Sequence, residues 1–320
     1  MNRTILSTLI CLLFCLLSLP LSLEWGWCQE IQIREKIISE FTQRSPNEWG
    51  VKVKGVKTKL NTDQKVIAMT FDAFGGPKGK RYDARLINYL EAEKIHATLF
   101  ISGKWIDANF EILKKLVKNP LFDIENHGLS HKPCSTTGRS AHGIEGTKNV
   151  GKIIDEIEQN ALKIKTLTLR KPKYYRPGTA YCDEVCVEIA GALGYEVVTF
   201  SLLGDVGAML TGSQVKEVLL SAPPSSIILL HMNRPESGTA EGVMEAIPEL
   251  KKKGDLVLLN YRNILSTEPK FFSLHLAHPY FSHPYFSIES FFKLAYIDNY
   301  EEPYDHRIPY LSEGTQPLPF

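Results

Sequence analysis

Residues 66–76 read Val-Ile-Ala-Met-Thr-Phe-Asp-Ala-Phe-Gly-Gly. Val66 to Phe71 is a short run without charge, Asp72 closes it, and Gly75-Gly76 turns the chain. A short apolar run without strict alternation suits a strand buried on both faces, as in a parallel sheet. A carboxylate at its carboxyl end lies where parallel α/β sheets bind their ligands. A lone aspartate there is also a good turn or helix cap. The decision therefore rests on how the neighbouring strands end.

Runs of the same character recur at Ala97–Ser102, Phe122–His127, Tyr174–Pro177, Glu196–Leu202, Ser226–Met232 and Leu256–Asn260. Helical spacing falls between them. Leu86 and Leu90 share a face, and Val150, Ile153, Ile154 and Ile157 follow the i, i+3, i+4, i+7 rule. Val185 with Ile189, and Val243, Met244, Ile247 and Leu250, mark later helices. This alternation predicts an α/β fold of about seven parallel strands joined by helical crossovers. Periodicity alone leaves open a barrel or a doubly wound sheet.

Ionisable residues cluster at the strand ends: Asp72, His127 with His131, Arg176, Asp205 and His231. In parallel folds these ends lie on one face, so residues distant in sequence converge. His127-Gly-Leu-Ser-His131 brings two imidazoles within reach of one cation, and zinc accepts imidazole readily. Asp72 suits activation of water. Arg176, just before Pro177, can hold that carboxylate ionised through paired hydrogen bonds. His231 closes the apolar Ile-Ile-Leu-Leu run in the position of a general acid, and Asp205 can orient its imidazole. Each residue alone also fits a core or surface role; the shared position favours a site for metal-assisted hydrolysis.

Composition narrows the function classes. Lys+Arg total 37 against 36 Asp+Glu, a net charge of +1, which excludes a strongly basic nucleic-acid binder. Hydrophobic residues at 43% and charged residues at 23% mark a globular chain of 320 residues. Arg3, followed by Ile5–Leu17 broken only by Ser7 and Thr8, reads as an export signal over 1–28, with Gly26 two residues before Cys28. That run falls short of the roughly 20 residues that span a bilayer, and no second long one follows. The expected location is secreted, periplasmic or cell envelope. Cys134, Cys182 and Cys186 lack CxxC spacing and read as buried thiols.

The remaining organisation follows: an extension over 29–64 packed on the outside, a catalytic domain over 65–264, and an aromatic-rich tail over 265–320. In that tail His278-Pro-Tyr-Phe-Ser282 is repeated at once as His283-Pro-Tyr-Phe-Ser287. The repeat is too short for a module, so the tail reads as a poorly ordered extension.

The order Thr70-Phe71-Asp72, His127-x3-His131, Arg176-Pro177, Asp205 and Leu230-His231 resembles the polysaccharide deacetylases, the NodB-homology enzymes of carbohydrate esterase family 4. The match runs from about Lys65 to Asn260; Ala97-Thr98-Leu99-Phe100 and Ile124-Glu125-Asn126-His127 also look like that family. The resemblance implies a distorted (β/α) barrel and a metal-dependent deacetylase acting on a polysaccharide or oligosaccharide. It implies Asp72 as base, His127 and His131 as ligands of a divalent metal such as zinc, and Arg176 orienting the base. It further implies His231 as acid, Asp205 tuning it, and Leu230 lining an acetyl pocket, with Tyr181 beside the substrate. The family usually places a second, metal-binding aspartate after the first, where this chain has Ala73. Asp72 or Asp205 could fill that role, or the site could work with little metal. A non-catalytic carbohydrate-binding protein and a metal-independent amidohydrolase are the competing readings.

Overall fold

The computed structural model describes residues 31–76, 79–253 and 257–259. The expected signal and the aromatic tail lie outside the described residues.

Strand β1 (Val66–Ala73) is buried along its whole length. Ile67, Met69, Phe71 and Ala73 join one apolar cluster, while Val66 and Ala68 join another with Phe100, Tyr174, Val198 and Ile227. That alternation is the period-two signature of a strand with two covered faces. Around β1 lie β2 (Ala97–Ile101), β3 (Phe122–Asn126), β4 (Tyr174–Tyr175), β5 (Glu196–Val197), β6 (Leu202–Leu203) and β7 (Ile227–His231). The order is β5-β4-β3-β2-β1-β7-β6, with β8 (Val257–Leu259) pairing the start of β1. Every pairing is parallel, and the sheet curls into a half-barrel, the distorted (β/α) barrel expected.

Helices follow the strands as crossovers: α2 (Ala84–Ala92), α3 (Gly103–Ala108), α4 (Phe110–Leu116), α5 (Val150–Thr168), α6 (Glu184–Ala192), α7 (Gly212–Leu220) and α8 (Thr239–Lys253). Helix α1 covers residues 31–41. Periodicity located α2, α5, α6 and α8. It missed α3 and α4, which are too short for a pattern, and α7, whose Thr211–Gln214 capping box was a readable start signal.

Two expectations need correction. The run Glu196–Leu202 is not one strand. It breaks between β5 and β6 because the Val198 and Thr199 carbonyls turn to Arg176, accepting from its Nε at 3.2 Å and its Nη2 at 2.8 Å. The extension, likewise, is more than an outer covering. Ile37, Phe41 and Val53 do pack with α5 and α6 residues. Beyond them, the Lys57 amide donates to Val197 O at 2.9 Å and the Thr199 amide to Lys57 O at 3.0 Å. The Leu60 amide then donates to Ser225 O at 2.9 Å. Residues 57–60 thus bridge the interval between the end of β5 and the start of β7.

Candidate active site

Register sets the centre of the site. Asp72 and His231 are direct neighbours on parallel β1 and β7. The two residues stand side by side rather than across a cleft. Asp72 is 3% exposed, and its Oδ1 accepts from Arg176 Nη1 at 2.6 Å. The contact is single, not the paired one expected, because the same nitrogen also donates to Thr70 Oγ1 at 2.9 Å. The Thr70 hydroxyl in turn donates a hydrogen bond to Ile228 O at 2.7 Å. With the Val198 and Thr199 carbonyls, and Phe100 stacked 4.0 Å below, Arg176 is fully buried and held on every side. Burial pulls its pKa down and Asp72 pulls it back up; a guanidinium stays charged through such shifts.

His127 follows β3 and is 1% exposed. Its Nδ1 lies 2.9 Å from Arg176 O. A carbonyl oxygen only accepts, so Nδ1 carries the proton and Nε2 presents its lone pair. That Nε2 has no hydrogen-bond partner and faces Asp72 Oδ2 at 3.5 Å. The His131 ring stands 4.8 Å away, centroid to centroid, at 70°. Burial holds the His127 pKa below the ordinary value, against the attraction of Asp72. Burial and then the neighbouring His127 hold His131 well below it. Both rings are therefore neutral at neutral pH.

The loop that carries the two histidines is folded around a residue the sequence reading passed over. Glu156, on α5 and 5% exposed, accepts through Oε1 from the Ser130 amide at 2.9 Å and the Lys132 amide at 3.1 Å. Burial raises its pKa, and those two amides work against the rise. Asn126 Oδ1 accepts from the Gly128 amide at 2.9 Å and from Asn160 Nδ2 at 2.7 Å. His131 sits at φ +60°, uncommon for a residue with a side chain, and its Nε2 meets the Thr179 amide at 3.4 Å. Gly178 is required opposite, since a Cβ there would lie 2.1 Å from the His131 carbonyl carbon. Glu156 lies on the buried face of an amphipathic helix, where a lone acid was the available signal.

His231 Nδ1 donates to Asp205 Oδ1 at 2.8 Å, and the His231 amide donates to Oδ2 at 2.7 Å. Thr239 Oγ1 adds a bond to the same Oδ2 at 2.8 Å. Burial works against the charge on His231, but Asp205 prevails and the net pKa is raised. The Asp205 pKa is lowered, burial opposing and His231 prevailing. Both oxygens of Asp205 are thus engaged, Oδ1 by the His231 ring and Oδ2 by the His231 amide and Thr239. Phe74 lies between the two imidazoles, its ring 5.1 Å from His131 and 6.0 Å from His231.

The donor set suits a divalent ion in kind. The orphaned Nε2 of His127, the nearby His131 and Oδ2 of Asp72, which faces that Nε2, are the nitrogens and carboxylate such ions accept. It is short in number: Ala73 brings no carboxylate, and no group of three His, Cys, Asp or Glu poised for a metal occurs among the described residues. Leu230 is fully buried within the main apolar cluster and presents no surface to a substrate. Tyr181 is half-buried and stacks with Trp49 at 5.9 Å and His142 at 5.4 Å. Cys134, Cys182 and Cys186 are free and buried.

At the strand ends of a curled parallel half-barrel the chain thus gathers an Asp–Arg pair, two histidines and a His–Asp pair, the arrangement that the resemblance to the polysaccharide deacetylases implies. Residues 59–198 match the sequence model of the polysaccharide deacetylase family. Among curated relatives, the uncharacterized protein YlxY of Bacillus subtilis (strain 168) is 26% identical over 203 residues, 61% of this chain and 56% of that protein. A bifunctional xylanase/deacetylase of Pseudobutyrivibrio xylanivorans is also 26% identical, over 62% of this chain and 31% of that one. The chain therefore spans little more than half of the first relative. Among solved structures, the family 4 carbohydrate esterase PdaA of Bacillus subtilis superposes with a TM-score of 0.55 at 21% identity, covering 72% of this chain and 88% of that one. A carbohydrate esterase family 4 pseudoenzyme from Bacillus anthracis gives a TM-score of 0.55 at 20% identity, over 65% and 68%. These likenesses show the fold.

Proposed function

We propose that this chain is an exported hydrolase that removes acetyl groups from an acetylated polysaccharide or amino-sugar polymer. The observation that carries the reading is the in-register pair Asp72–His231, each with its own charged partner: Arg176 on the base, Asp205 on the acid. A binding protein has no need of both.

Water adds to the acetyl carbonyl as Asp72 takes its proton. Arg176 holds that carboxylate in position through its 2.6 Å hydrogen bond to Oδ1. The carbon–nitrogen bond breaks as His231 delivers its Nε2 proton to the leaving amine, giving acetate and a free amine. Asp205 fixes the tautomer, because Nδ1 is committed to it. His127 and His131, with Asp72 Oδ2, are the groups that would hold a divalent ion. Bound there, the ion would polarise the acetyl carbonyl and offset charge on its oxygen.

Ala73 supports a second reading, a non-catalytic carbohydrate-binding protein on a deacetylase scaffold. Were Asp72 drawn in as the third ligand, its carboxylate would be less free to act as base. One solved neighbour is described as a pseudoenzyme, and a mutant of it as having restored enzymatic activity. Acetate release from acetylated chitooligosaccharides, with and without a chelator, separates the readings. Release abolished by chelator fits metal-assisted hydrolysis; release untouched by it fits a metal-independent amidohydrolase. No release, with oligosaccharide still bound, fits the binding protein.

A further inference from the structure

We infer that Trp49, brought in by the N-terminal extension, forms a sugar subsite flanking the catalytic centre, which holds a neighbouring pyranose ring of the polymer. This rests on the proposed polysaccharide substrate and places part of its recognition outside residues 59–198, the span the family model matches.

Two clefts flank the Trp49 ring. One, of about 300 Å³, runs between Ser45–Trp49 and the loop that carries Ser135, Thr137 and Arg139. The other, of about 520 Å³, is lined by residues 48–53 and Tyr181. Both volumes fall within the range of small-ligand sites. Trp49 is only half-buried, with the Arg139 guanidinium 5.2 Å from its ring and Tyr181 tilted at 5.9 Å. Aromatic faces ringed by hydroxyl and amide groups, here Ser45, Asn47 and Thr137, suit a ligand that is apolar across its ring faces and hydroxylated at its edge. A pyranose is such a ligand.

The platform is braced. The Asn47 and Glu48 amides both donate to the Glu184 carboxylate, at 2.6 and 2.8 Å. Gly50 and Cys182 exchange two backbone bonds of 3.0 Å each. A pre-set loop loses less entropy on binding. It is also tied to the reaction centre. Thr199 Oγ1 donates to Val51 O at 2.7 Å, and Thr199 O accepts from Arg176. Tyr181 follows Thr179, whose amide meets His131, and its carbonyl accepts from the Cys134 amide.

The test is calorimetric binding of N-acetylglucosamine dimer and hexamer to wild type, Trp49→Ala and Trp49→Phe, with acetate release followed in parallel. Trp49→Ala is expected to weaken hexamer binding about tenfold, to weaken dimer binding far less, and to be largely rescued by phenylalanine. Equal hexamer affinity in wild type and Trp49→Ala overturns the inference, as does an equal loss for dimer and hexamer. Hexamer binding that depends on Trp49 without any acetate release upholds the subsite and overturns the deacetylase reading. Failure of wild type to bind either oligomer overturns both.

Discussion

Asp72 is where the chemistry and the stability of the site meet. Replacing it by Asn removes the base, and general-base loss typically costs 10²–10⁴-fold in rate. It also leaves the buried Arg176 charge without its carboxylate, a change that costs about 3–5 kcal/mol for buried pairs. Asp72→Asn is therefore expected to remain folded, because Arg176 keeps Thr70 and two carbonyls, but to melt earlier and release no acetate. Unchanged turnover would remove Asp72 from the mechanism. Asp205 makes a prediction in pH. With Asp205 in place the folded His231 pKa lies above 6.5 and that of Asp205 below 3.8. The pair's stabilisation is fully present between those values. It is lost as pH rises through the raised histidine value or falls through the lowered aspartate value. The acid must be protonated to act, so the alkaline limb of kcat/KM should lie above 6.5 in wild type. Asp205→Asn removes the main opposition to burial, leaving only the attraction of Asp72, and should move that limb to lower pH; a limb that does not move would mean that His231 is not the acid. Ala73 is read the same way. It pairs with Ile101, whose carbonyl accepts from the His127 amide at 3.2 Å, so a carboxylate there begins one strand from that ligand. Outer partners of a metal site are worth 10–100-fold in affinity, and a direct ligand should count for about tenfold or more. Zinc titration by calorimetry should show that gain in Ala73→Asp. Equal affinities would mean that the new side chain stays in the apolar core.

At the scale of elements, the strand ends were legible and the elements that brace them were not. Apolar runs closing on Asp72, His127, Arg176 and His231 could be read because parallel strands announce themselves by burial and end on one face. The short β4, β5 and β6 could not be bounded. They stop where side chains take over backbone groups, as Arg176 does at Val198 and Thr199, and such a bond leaves no pattern in one sequence. Glu156 offered only its place as an acid on the buried face of α5; its partners are backbone amides, which every sequence has. Its role makes a prediction about α5 and the histidine loop together. Glu156→Ala leaves the Ser130 and Lys132 amides without their acceptor and frees His131 from its uncommon backbone conformation. The expected result is 10–100-fold weaker zinc binding, as for other supports of metal ligands. Glu156→Gln, which keeps a carbonyl acceptor, should recover most of it. Weakening of zinc by Ala with no recovery by Gln would point to the charge of Glu156 rather than to its hold on the loop.

The whole molecule depends on a segment that sequence reading placed outside the domain. Residues 57–60 complete the sheet between β5 and β7, and the carbonyls they help to position are the ones that hold Arg176. A polar stretch with scattered apolar residues has no strand periodicity to read, because only isolated bridges, Lys57 to Val198 and Lys59 to Ser226, pair it with the sheet. Leu60 is the apolar anchor of this seam: it is 6% exposed and shares a cluster with Val66, Ala68, Phe100, Tyr174, Val198 and Ile227. Truncating a buried leucine costs about 2–5 kcal/mol, and each kcal/mol lowers Tm by about 2–4 °C in a domain of roughly 200 residues. Leu60→Ala should therefore melt several degrees lower. The distinguishing effect is local. If the seam supports the site, amide exchange should quicken at Val198 and Thr199 before it does in β2 and β3, and acetate release should fall with it. Local opening of that kind is expected where few contacts cross a boundary. A Tm loss with uniform exchange and undiminished turnover would mean that the extension adds stability alone, and that Arg176 is positioned without it.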